Sequence, residues 1–142
     1  YIGLYSAVSR TGLADLRHEP GYPAAGCPDA AARSYRRGLM LRPDHAPGGS
    51  IKVSNDFHAL PAFRDLVLHE SEAQVTLGEI AAFLDANGLA FRGFTLEPSV
   101  LAQFHAVTGA KGAGDLATWA AYERDHPRTF DAMYRFWVER QA

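Results

Sequence analysis

An α/β domain is what this sequence predicts, and three features carry that reading. The chain opens on an apolar, aromatic run, Tyr1-Ile2-Gly3-Leu4-Tyr5-Ser6, which reads as a buried strand. A capped helical pattern from Thr76 leads straight into a second aromatic-rich strand pattern, Leu89 to Leu96, closed by Glu97-Pro98. The other apolar residues fall mostly at helical spacings, and helix followed by strand is the α/β signature. A strand at the first residue needs neighbours, so the chain is expected to be a fragment whose other strands lie upstream.

Taken in order, Val8, Leu13 and Leu16 predict a short or broken helix between Ser6 and about His18, ended by Glu19-Pro20-Gly21-Tyr22-Pro23. Pro28 stands at a first helical position, and Ala30 to Leu41 is rich in the good helix formers Ala and Arg. Pro43, Pro47, Gly48 and Gly49 make residues 42–56 a loop. Phe63, Leu66 and Val67 predict a helix from Leu60 to about His69, reaching a polar tip at His69-Glu70-Ser71-Glu72. Thr76-Leu77-Gly78-Glu79 matches a capping box before Ile80, Phe83 and Leu84, and Asn87-Gly88 supplies a left-handed stop.

Farther on, Ser99 is read as the cap of a helix carrying Leu101 and Phe104, Gly109 to Gly114 as a linker, and Asp115 as the cap of a helix with Leu116, Trp119 and Tyr122. Pro127 is read as opening a last helix, in which Phe130, Met133, Tyr134, Trp137 and Val138 recur at spacings of three and four. Such a stripe either packs on its own domain or docks a partner. The layout is one unit: residues 1–6 a sheet strand, 7–59 a helical and loop insertion, 60–98 a helix and strand completing the sheet, and 99–142 a helical tail.

Length and charge narrow the functional classes. The chain has 142 residues, enough for one domain, and 47% apolar with 11% aromatic residues supply a core and argue against overall disorder. With 14 Lys and Arg against 16 Asp and Glu and no large basic cluster, nucleic acid is not the expected partner. No apolar run approaches the ~20 residues that a bilayer crossing demands, so no membrane partner is expected and the cytoplasm is the expected location. The one cysteine, Cys27, allows no internal disulfide and, with no local basic environment, supports no covalent catalysis.

No two of the six histidines stand four apart, so the helical zinc pair of an H-E-x-x-H site is absent and no metal site is expected. A dispersed set, His58, His69 and Glu72, would serve a metal-assisted hydrolase. Gly109-Ala110-Lys111-Gly112-Ala113-Gly114 follows a helix and lacks the spacing of either nucleotide-binding motif. Two candidate sites remain. Tyr5, Ser6 and Arg10 stand at the carboxyl end of the first strand, where α/β sheets bind ligands, and either face a substrate or pack and cap locally. Asp65, His69, Glu70 and Glu72 combine a histidine with carboxylates and form either a general acid–base site with His69 as the catalytic group or a solvated helix tip.

Four stretches resemble the C-terminal part of class I S-adenosylmethionine-dependent methyltransferases of a bacterial group often fused to tetratricopeptide repeats. Ile2-Gly3-Leu4-Tyr5-Ser6 is similar to the group's "iGLYS" strand, which follows an "LxPGG" turn. Asn55-Asp56-Phe57 through Arg64-Asp65-Leu66-Val67-Leu68-His69 is similar to its "DFxSxxxxRDLLFH" segment. Thr76 through Phe94 resembles "TLxxIxxFLxxNGLxFxGF", and Asp125-His126-Pro127-Arg128-Thr129-Phe130 with Met133-Tyr134-Arg135-Phe136-Trp137 resembles "DNPxTFxxMYxFW". The matches keep their order over nearly the whole chain.

The resemblance implies a Rossmann-like sheet in which Tyr1 to Ser6 is the fifth of seven strands and Leu89 to Leu96 a late one, with a largely helical cap over the acceptor side. It implies S-adenosylmethionine as cofactor of a full-length enzyme, with the acidic, glycine-rich donor loop upstream of Tyr1 and no cofactor-binding residue in this segment. The partners are then the missing N-terminal half and an unidentified methyl acceptor, with Tyr5, Ser6, Arg10, Asp65 and Glu72 on the acceptor side. Methyl transfer of this class depends on positioning, which makes a base such as His69 optional. The alternative is a self-standing helical protein-interaction module without catalysis.

Overall fold

A computed structural model describes residues 1–69, 73–130 and 133–141. The fold is mixed α/β. In chain order the described elements are β1 (Ile2–Ser6), α1 (Thr11–Leu16), α2 (Asp29–Met40), α3 (Leu60–Leu68), β2 (Gln74–Val75), α4 (Leu77–Ala86), β3 (Leu89–Phe94), α5 (Pro98–Thr108), α6 (Leu116–Asp125) and β4 (Met133–Arg140). Short 3-10 turns occupy Gly49–Val53, Asn55–Phe57 and Ala110–Gly114. No helix among the described residues is long and apolar enough to cross a membrane.

The chain divides into two compact units, Tyr1–Arg10 with Ala73–Ala142 and Thr11–Glu72, where the sequence layout has a single one. In the first, the strands are ordered β2-β1-β4-β3. β1 pairs in parallel with β2, through Tyr5 with Gln74 and Ser6 with Val75. β4 lies antiparallel between β1 and β3, so β1, β2 and β3 run the same way. Its register sets Ile2 opposite Phe136 and Leu4 opposite Tyr134.

β4 corrects the expected helical tail, which ends at Asp125. Pro127 stands in a turn rather than at the start of a helix. Tyr134 and Phe136 are buried while Arg135 and Trp137 are exposed, a period of two that only a strand provides. The apolar stripe is thereby split between two faces: Trp137 is 56% exposed, with Tyr1 against it at 5.0 Å between ring centroids.

Ile2, Leu4, Tyr134 and Phe136 meet α4, α5 and α6 in one core with Leu77, Ile80, Leu84, Phe104, Leu116, Trp119, Tyr122 and Phe130. Trp119 stacks on Phe104 at 3.5 Å, and its indole Nε1 donates to the Ala113 carbonyl at 3.0 Å. Gly109 to Gly114, expected as a linker, is thus bonded to the core by its 3-10 turn.

The helix starts follow from local chemistry. Thr76 and Glu79 form the expected reciprocal capping box on α4, and Gly88, at φ 61°, takes the left-handed conformation past its end. α5 differs: Glu97 is the flanking residue, Pro98 takes the first turn, and Ser99 lies inside the helix. In β3 the register shifts between Phe91 and Gly93, and Gly93 at φ 132° absorbs the bulge as no side-chain-bearing residue would.

In the second unit, Leu13, Leu16, Ala32, Leu39, Phe57, Phe63, Val67 and Leu68 form a separate core. α3 therefore belongs to the insertion, through Phe63, Val67 and Leu68, and not to the sheet-completing segment at 60–98. Polar ties supplement the small core. Arg42 grips Glu19 bidentately at 2.8 and 2.6 Å, and Arg64 donates to the Cys27 carbonyl and to Asp29.

Asp115 caps α6 by accepting from the Ala117 and Thr118 amides at 3.1 and 2.9 Å, and the Thr118 hydroxyl, which also donates to it, together with those amides holds its carboxyl below the ordinary value of 3.8. A lowered folded pKa means a contribution present above that ordinary value and lost as the pH falls through the folded one. Asp115→Ala is expected to cost about 1 kcal/mol at neutral pH, the usual worth of such a cap, and the deficit to narrow in acid, as checked by urea denaturation of both proteins across pH.

Candidate functional site

Because β1, β2 and β3 are parallel, their carboxyl ends and the start of β4 share one edge of the sheet, the edge where open α/β sheets bind ligands. Ser6 ends β1 there, fully buried. Its hydroxyl donates to Glu123 Oε1 at 2.6 Å and accepts from the Ser9 amide at 3.0 Å. From β4 the Tyr134 hydroxyl donates to both Glu123 oxygens, at 2.9 and 2.7 Å. One carboxyl on α6 therefore ties together the end of β1, the turn after it and the start of β4.

The turn itself is Ala7 to Arg10. The Arg10 amide donates to the Ser6 carbonyl at 3.1 Å, and Ser9 Oγ donates to the Pro127 carbonyl at 2.7 Å. The Arg10 guanidinium lies 4.0 Å from the centre of the Tyr5 ring, a cation–π contact, and Arg10 is only 6% exposed. The structure thus brings Tyr5, Ser6 and Arg10 together as the sequence placed them, with Ser6 turned inward as a structural hydroxyl.

Electrostatics at this edge is dominated by burial. Desolvation raises the Glu123 carboxyl above its ordinary range, against the lowering effect of the Ser6 and Tyr134 hydroxyls. The Tyr134 phenol is raised as well, first by burial, with the negative charges of Glu123 and Glu79 adding to it.

Asp65 and His69 fall in the other unit. Both are exposed, at the end of α3, where they line a cleft of ≈ 500 Å³ with Gly26, Pro61, Arg64 and Leu68. His69 ends the helix, and its carbonyl accepts from Arg17 at 3.0 Å. Glu70 and Glu72 lie outside the described residues. Among the described residues no three His, Cys, Asp or Glu side chains come together as a metal-binding set, and His58 instead packs its ring edge-on against Phe57.

Glu123 and Tyr134 escaped the sequence reading. The signal for Glu123 was present: Leu116, Trp119 and Glu123 fall at spacings of three and four on one face of a helix, and an acid stands where the pattern demands a hydrophobe. Tyr134 was legible only as an apolar residue, because its partner lies eleven positions away on another element. Compared with known proteins, the chain matches no family model and no curated sequence.

The three-residue cluster makes a stability prediction. Tyr134→Phe withdraws both hydroxyl bonds from a carboxyl that is 1% exposed, and Ser6→Ala withdraws the third. Each is expected to cost about 1–3 kcal/mol, and the double variant to cost less than the sum, as read from urea midpoints in a double-mutant cycle.

Proposed function

We propose that this chain is the C-terminal, acceptor-side segment of a class I S-adenosylmethionine-dependent methyltransferase. One observation supports the reading above the others: the two stretches that resemble strands of that family, 2–6 and 89–94, stand parallel in one sheet, joined through β4. The intervening residues Thr11–Glu72 form a compact helical unit of their own, as a cap would. In the ending, the resembling residues 125–130 fall at the end of α6 and the turn after it, and 133–137 fall in β4, which joins β1 and β3.

The chain's own strand ends do not fit the methyl donor. β1 runs into Ala7-Val8-Ser9-Arg10, β2 into the helix cap Thr76, and β3 into Thr95-Leu96-Glu97-Pro98, none of them an acidic, glycine-rich turn. The segment's contribution is on the acceptor side. Tyr5 and Arg10 form one wall at the sheet edge, with Ser6 fixing the backbone beneath them. Asp65 and His69 offer a polar cleft in the helical unit, and Glu72 is assigned to the same side on sequence alone. Positioning the acceptor for in-line attack is the main task of such a wall, and His69 serves as an optional proton acceptor.

A non-catalytic interaction module is the second reading, favoured by the exposed Tyr1–Trp137 ring pair on the sheet face away from the core. Calorimetry with S-adenosylmethionine and the reading frame upstream of the Tyr1 codon separate the two. The chain as given is expected to bind the donor weakly or not at all. A longer product, encoding a strand and an acidic, glycine-rich loop ahead of Tyr1, is expected to bind it and to accept label from its methyl group. An upstream frame without that loop, or a longer product that binds no donor, overturns the methyltransferase reading.

A further inference from the structure

β3 is an outermost strand of the sheet, paired on one side only, to β4. Which of its backbone groups stay open follows from the ladder. The Gln141 amide donates to the Gly88 carbonyl at 2.8 Å, so Gly88 and, two residues on, Ala90 are the residues bonded toward β4. Leu89 and Phe91 therefore turn their N–H and C=O groups to the other side, where they have no hydrogen-bond partner among the described residues. The open stretch is short. Past Phe91 the register shift to Gly93 and the exposed, charged Arg92 end it, two devices by which sheet edges are commonly protected.

Beside that stretch lies a cleft of ≈ 400 Å³, lined from β3, the second half of α4 and the start of α6. Its buried wall is apolar, made by Leu84 and Leu116, and Leu89 and Phe91 stand partly buried on the same core. The charged residues in its lining are Asp85 and Asp115, both exposed and both acidic. Basic residues of the adjoining segments stay out of the lining: Arg92 pairs with Glu139, Arg140 stands on β4 opposite Leu89, and Lys111 is exposed in the 3-10 turn.

We propose that the edge at residues 89–91 takes an extended peptide of another protein as an added strand, with one apolar side chain over the cleft and a lysine or arginine two residues from it meeting Asp85 or Asp115.

An added strand supplies acceptors for the two open amides and donors for the two open carbonyls, bonds that favour no particular sequence. Preference comes from the side chains. Successive residues of a strand point to opposite faces, so the residue over the cleft and those two positions away share the helix-bearing face of the sheet. The apolar one covers what the core leaves open of Leu89 and Phe91, and the basic one answers the acidic rim. A second copy of this chain is the poorer occupant, because two such edges side by side bring together two rims of the same sign. Nothing in this surface depends on methyl transfer.

The test uses the whole chain, labelled with nitrogen-15, and the end-blocked peptide Lys-Thr-Val-Thr-Lys, whose central residues favour the extended form. At nine-tenths occupancy the Leu89 and Phe91 amides are expected to exchange with solvent about tenfold more slowly, while that of Ala90, already bonded to β4, keeps its rate. Methylating the peptide's nitrogens at alternate residues is expected to abolish binding for one of the two alternating sets and to spare it for the other, since only one side of an added strand faces the sheet. Asp85→Lys, an exposed exchange in the last turn of α4, is expected to weaken binding about tenfold. Unchanged exchange of both amides at millimolar peptide, equal binding by the two methylated sets, or undiminished binding to Asp85→Lys overturns the proposal. Protection of the two amides that grows with protein concentration in the peptide-free chain assigns the edge to a second copy and overturns it as well. Should Asp85→Lys fail to fold, the methylated peptides, which need only the unsubstituted chain, decide.

Discussion

The sheet exists because β4 stands between β1 and β3. Those two parallel strands share no ladder, and each is paired along most of its length to the antiparallel strand between them. The register of β4 also builds the core, since Tyr134 and Phe136 are the residues it turns toward the helices, where Phe94, Phe130 and Trp119 surround them. Burying rings of that size contributes on the order of 1.5–3 kcal/mol each, more than any cap or surface ion pair in the molecule. The shared edge at which Ser6, Tyr134 and Glu123 converge follows from the same insertion.

How much of this was legible depended on whether a residue's partner was near in sequence. The capping box of Thr76 and Glu79, the cap at Asp115 and the left-handed stop at Gly88 are local, and all of them stand as read. β4 was misread because Tyr134 and Val138 satisfy a helical spacing and an alternating one equally. Phe136, which the helical stripe leaves out, was the residue that discriminates, together with the exposed Arg135. Ser99 was taken as a cap where Pro98, with its fixed φ, had already claimed the first turn.

The candidate sites divide along the same line. Tyr5, Ser6 and Arg10 lie within six residues, and their convergence at a strand end was foreseeable from the strand alone. Glu123 reaches Ser6 across 117 positions, and no spacing rule spans that distance. Asp65 and His69 were grouped by helical spacing and do share a cleft, in which both are exposed. The methyltransferase reading that we propose rests on ordered motifs and on sheet topology, and assigns these residues to positioning.

Both tryptophans, Trp119 and Trp137, lie in the sheet-bearing unit, and the single thiol, Cys27, lies in the helical one. Nature has thereby labelled the two halves with different probes. Indole emission reports on the stacked core around Phe104 and is blind to the core around Phe57 and Phe63, whereas the rate at which a thiol reagent reaches half-buried Cys27 reports on the second alone. Coincident melting of the two signals means that one cooperative transition runs through the whole chain; separated melting means that the helical insertion folds and unfolds on its own account, and that a single free energy of unfolding has no meaning for this molecule.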